Sequence, residues 1–177
     1  MASTVKWTEK LKGTLQHQRE QYAQGEDRPL GGYTAAMSVY GGMVAALAGA
    51  GRLTGRQLPE RIGPWDAAMA AVATHKMSRL IAKDSITSPL RAPFTVYEGT
   101  SGPGELAEGV RGKGKQKTVG ELISCPFCIG MWVATGFTAG YVLMPRWTRL
   151  AAVTLASLAG SDFLQFAYAY AEQASQG

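Results

Sequence analysis

Cys125 and Cys128 are the only cysteines in the chain, and they bracket Pro126 and Phe127 in the stretch GELISCPFCIGMW. A Cys-x-x-Cys pair can exchange with a disulfide, supply half of a tetrahedral metal site, or pack as two small apolar residues. Pro126 suits the first position of a helix, with Ser124 before the pair as its N-cap. At such a start the free amides and the helix dipole favour a thiolate and raise its reactivity. In a redox reading Cys125 is the exposed thiol and Cys128 its resolving partner. A metal reading needs more ligands, and outside the N-terminal tail His75 is the one histidine. Cys125, Cys128 and His75 make three; Glu121 or Asp84 would have to supply the fourth. Neither a metal site within one chain nor a cofactor is therefore expected.

A second set is cationic. At 100° per residue His75, Lys76, Arg79 and Lys83 share one side of a helix, and Arg91 follows. Cations at a membrane boundary can bind lipid phosphate, pair with acids, or snorkel into water. Asp162 lies in the middle of an apolar run, with Gln165 on its face. A carboxylate in that position should face protein or water, and pairing with a cation of the preceding stripe is its natural structural role. A lone acid of this kind also leaves a transport reading open.

Other signatures fail on their chemistry. Gly109, Gly114 and Lys115 fit a phosphate-binding loop, but Gln116 stands where a magnesium-binding hydroxyl belongs. His17 and His75 are the only histidines, and no nucleophile elbow is present, so hydrolase chemistry is not expected. The chain reads as a non-enzyme; an enzymatic role would be thiol–disulfide exchange.

The elements that must position these residues are set by where charge is missing. The chain has 177 residues and a formal net charge of +5, yet its charges are bunched. Between Arg28 and Arg52 lie 23 uncharged residues, between Glu121 and Arg146 24, and between Arg149 and Glu172 22, broken only by Asp162. A bilayer core of about 30 Å takes roughly 20 apolar residues at helical rise. The expected fold is all-α: an integral membrane bundle of about four helices, near 30–51, 62–83, 125–144 and 148–171, within one membrane domain, 29–172. The second helix carries the cationic stripe and is the one whose crossing is least settled by composition. Gly42, Ala46 and Ala50, and Gly136 with Gly140, have the spacing that lets helices approach closely.

Residues 1–28 are polar and basic, without a signal-peptide core, so the first internal span is expected to direct insertion. Trp7, Leu11 and Leu15 sit at helical spacing beside Lys6, Lys10 and Lys12, as in a short interfacial helix. Residues 84–120, rich in Gly and Pro, read as a long loop with no strand, mobile and basic over GVRGKGKQK. With four spans, eleven cations (among them Lys83, Arg91 and Lys113) share one side, and Arg52, Arg56, Arg61, Arg146 and Arg149 take the other. The positive-inside rule then puts both termini and the 84–120 loop in the cytoplasm of a bacterial cell. Expected partners are the bilayer, anionic lipids, and a protein partner or second copy, but no nucleic acid.

The motifs KDSITSPLRAPFTVYEG, GELISCPFCIGMWVA and MPRWTRL…GSDFLQ together resemble a family of bacterial multi-pass membrane proteins of unknown function, over roughly residues 65–170. The resemblance implies a membrane location and, through some relatives, a link to spore formation; it implies no activity. Cys-Pro-Phe-Cys is also similar to the active-site sequence of glutaredoxins. That likeness is local, since no strand leads into the motif and an apolar run follows it.

Overall fold

The computed structural model describes residues 2–55 and 62–176. Arg56 and Arg61 lie outside the described residues, as do the side chains of Lys6, Trp7 and Leu11. The chain is mostly helical, with one small sheet. Helix α1 (Ala2–Ala23) is polar and largely exposed. Helix α2 (Leu30–Leu53) is the first uncharged run. Helix α3 (Pro64–Lys83) opens with Pro64 at its first position and Asp66 in its first turn, where the helix dipole favours an acid. It stops at Asp84, whose extended backbone leaves the helix and whose carboxylate accepts from the Ile86 amide at 2.8 Å.

The segment read as loop is built. A 3-10 turn (Ser85–Thr87) and the single-turn helix α4 (Ser88–Arg91) lead into an antiparallel hairpin, β1 (Thr95–Gly102) and β2 (Glu105–Val110). Thr95 pairs with Val110 and Gly102 with Glu105. Pro103 and Gly104 (φ +74°) carry the turn; a left-handed glycine after proline is what a type II turn requires. Helix α5 (Lys115–Ser124) then runs directly into α6 (Pro126–Leu143), and α7 (Pro145–Gln176) follows after Met144. The expectation of a strandless loop over 84–120 is thus corrected. Its glycines sit at the register shift after Tyr97, at the hairpin turn and before α5, so they punctuate structure instead of abolishing it.

Helix α3 packs against α6 and α7, which also pack on each other, while α2 lies against α5 and α6. Asp66 meets Arg149 and Lys76 meets Asp162, so α3 and α7 run parallel. Tyr141 of α6 reaches the Asp66 carbonyl at the start of α3, so α6 runs antiparallel to both. Tyr40 bonds Thr135, and α2 follows α6 in the same direction from there. The hairpin, α4 and α5 therefore gather at one end, with the start of α2 and the close of α3.

The interior is made of small residues. Ala73, Ser78 and Ala82 of α3 and Thr148, Ala152 and Ala159 of α7 are buried. A side chain at Gly140 would strike Thr148, with its Cγ2 at 3.1 Å, and one at Gly130 would touch Ser78. Of the expected small residues Gly140 does admit a neighbouring helix, as does Gly130, while among the described residues Gly136 and Gly42 have nothing within 4 Å.

Candidate functional site

Arg91 organises the end of the fold that holds the hairpin. It is the one large side chain fully buried among the described residues. Its guanidinium donates to Ile81 O at 2.8 Å, Asp84 O at 2.9 Å and Thr87 Oγ1 at 2.7 Å, and its Nε meets Glu108 of β2. Ile81 and Asp84 offer carbonyls at the close of α3, where Thr87 Oγ1 also approaches them at 3.5 and 3.0 Å, so Arg91 and Thr87 together close the helix and Glu108 balances the charge of Arg91. The residues after Arg91 complete the joint. Thr95 Oγ1 donates back to Arg91 O at 3.0 Å, Pro93 O accepts from Arg111 and Gln116, and Phe94 O accepts the Arg111 amide at 3.0 Å. The Arg-Ala-Pro-Phe-Thr stretch is a structural joint between α3, the hairpin and α5.

The rest of the cationic stripe divides. Arg79 grips Glu105 with two nitrogens, at 2.8 and 2.6 Å, and ties α3 to β2. Lys76 Nζ donates to Asp162 Oδ2 at 2.6 Å, the cation-to-acid pairing expected for Asp162. Gln165 is exposed and reaches Ser161 at 3.4 Å. His75 is exposed and Lys83 half-buried. Of the two readings of Arg91, acid pairing is the geometry found; burial leaves no surface of it for a lipid phosphate. Glu105 and Glu108 were missed as partners because neither spacing nor composition marks them, and only the hairpin brings them to α3.

At the start of α6, Cys125 itself takes the N-cap position that the sequence suggested for Ser124, which is the last residue of α5. Its Sγ accepts from the Cys128 amide at 3.2 Å, and the two sulfurs are 2.6 Å apart. Both cysteines are free, with Cys128 exposed and Cys125 partly covered, the reverse of the expected exposure. Phe127 between them is 93% exposed. One turn earlier Glu121 accepts from the Tyr33 hydroxyl at 2.7 Å, which pins α2 to α5. Among the described residues no three of His, Cys, Asp and Glu come together as metal ligands, so His75 does not join the cysteines.

Among the described residues three helices, α2, α6 and α7, are long and apolar enough to cross a membrane; α3 is not among them. No solved structure matches the chain. It is 30% identical over 98 residues to the sporulation protein YjcA of Bacillus subtilis (strain 168), which covers 52% of this chain and 82% of that protein. Residues 69–168, from within α3 through the hairpin into α7 and without α2, match a family model described as protein of unknown function (DUF1360), and the chain belongs to that family.

Proposed function

We propose that the chain is an integral membrane protein in which α2, α3, α6 and α7 cross the bilayer, and that it works by structure and interaction, not by catalysis. The observation that carries this is the inverted interior. A water-soluble domain buries Leu, Ile, Phe and Met, whereas the buried residues of α3 and α7 here are Ala, Ser and Thr. Met37, Val39, Phe163, Leu164 and Phe166 face outward. Lipid-embedded helices use small residues at their contacts for close packing. The charged face of α3 fits a span because Lys76 and Arg79 have acids as partners.

The cation balance favours placing both termini, the hairpin and α5 in the cytoplasm. There Ile86, Leu90 and Tyr97, all well exposed, give a protein partner apolar purchase. Arg111, Lys113 and Lys115, also exposed, suit anionic headgroups. The relative's name makes spore formation the setting in which to seek that partner. The test is alkaline washing of membranes, followed by an impermeant maleimide on variants with one cysteine at Lys113 or Arg146. Retention in the membrane, with Lys113→Cys labelled only in inverted vesicles and Arg146→Cys in intact cells, is expected. Release by alkali overturns the membrane reading, and the opposite labelling overturns the orientation.

A second reading is favoured by the adjacent sulfurs at the start of α6. In it Cys125 and Cys128 reduce a partner disulfide, giving up two electrons and two protons as their own S–S bond forms. Replacing both by serine should abolish function in cells under this reading and leave it intact under the first.

A further inference from the structure

Helices α2 and α6 are stitched together at one point and part beyond it. Tyr40 bonds Thr135 Oγ1 at 2.8 Å and meets the Trp132 ring edge-on, with centroids 5.2 Å apart. From there toward Leu53 a groove of about 640 Å³ opens between the two helices. Val44, Leu47, Met131, Ala139 and Val142 make its walls apolar. From Tyr40 to Arg52 the α2 axis rises about 18 Å. Arg52, in the last turn of α2, lines the far end, and among the described residues it has no carboxylate partner. A smaller hollow shares Leu143 with the groove and carries Arg146 and Trp147.

We propose that this groove holds one acyl chain of an anionic phospholipid, with the phosphate against Arg52 and Arg146. The inference rests on the membrane reading above, because both walls are helices of spanning length. A long apolar slot with Tyr40 at one end and the Arg52 guanidinium at the other, and with Arg146 in the adjoining hollow, has the polarity of such a lipid. The groove lies in the size range of small-molecule sites. Arginine matches the phosphate through its fork of donors. A zwitterionic lipid carries the same phosphate but adds an ammonium that the two guanidinium groups repel, so net headgroup charge is the discriminating property.

The experiment is native mass spectrometry of the full chain in detergent, titrated with phosphatidylglycerol or phosphatidylcholine of the same acyl length. Wild type should prefer phosphatidylglycerol by about fivefold for each guanidinium engaged. R52Q/R146Q, changed at the surface and so folded, should bind both lipids alike. A139F, checked for folding by circular dichroism, should lose both adducts because the ring occupies the slot. Equal binding of the two lipids to wild type overturns the proposal, as does a preference that survives R52Q/R146Q. A wild-type dimer that A139F makes monomeric also overturns it, by showing a second copy in the groove. Alkaline washing reads membrane placement separately, so failure here is distinguishable from failure of that reading.

Discussion

Arg91 and Glu108 lie seventeen residues apart, on a single-turn helix and a strand, and form an ion pair with side chains 0% and 5% exposed. Removing one member of a buried pair strands the other's charge, whereas replacing both by apolar groups is far milder. Arg91→Met should therefore lower stability by about 3–5 kcal/mol. Arg91→Met with Glu108→Met should regain much of that loss, though the carbonyls of Ile81 and Asp84 then keep only the Thr87 hydroxyl beside them. Denaturant unfolding of the purified protein, followed by circular dichroism, reads both. Losses that simply add would show that the two side chains act independently.

Lys76 and Asp162 make the corresponding tie between α3 and α7. Asp162→Asn should cost about 1–2 kcal/mol, at or below the lower part of the roughly 1.5–3 kcal/mol of hydrogen bonds to charged groups, because the acid is half-exposed. In a Lys76→Met background the same change should cost much less. A full cost in both backgrounds would mean that Asp162 serves some other partner.

Gly120 and Gly136 offer a paired test of packing. A Cβ at Gly120 would lie 2.7 Å from Val110 Cγ1 and 2.8 Å from Phe94 O, whereas one at Gly136 meets nothing within 4 Å. Gly120→Ala should destabilise by about 1–3 kcal/mol through overpacking against backbone. Gly136→Ala should be neutral or gain up to about 1 kcal/mol from helix propensity. Thermal midpoints of the two variants in one detergent decide it, and equal midpoints would contradict the close seating of α5 on the hairpin.

Cys125 and Cys128 should oxidise to one another without rearrangement of α6. Diamide should lower the intact mass by about two hydrogens and block both thiols to iodoacetamide, as disulfide formation demands. Two independently alkylated thiols after oxidation would show that the pair does not close.

The charge-free runs, the place of Pro126 and the cationic stripe of α3 were legible because each is a local property of the chain, whereas Pro145 opens α7 ahead of the start near 148 that the sequence suggested. Run length sets span, proline sets helix starts, and 100° per residue sets faces. Asp162 was marked for a cation because a carboxylate in an apolar run has few alternatives. The hairpin was not legible. Its strands carry glycine at a register shift and at the turn, which weakens the alternation by which a strand is recognised.

By itself, then, the sequence determined which segments are apolar helices and which polar residues must find partners inside them. Only the tertiary structure decided which partners those are. The hairpin brings Glu105 to Arg79 and Glu108 to Arg91, and burial makes Arg91 a structural residue with no free surface. The cap at Cys125, the exposure of Cys128 and the groove ending at Arg52 were likewise set there. The physical reason is that helix formation reads neighbours a few residues apart. Charge pairing and burial depend on where distant segments come to rest.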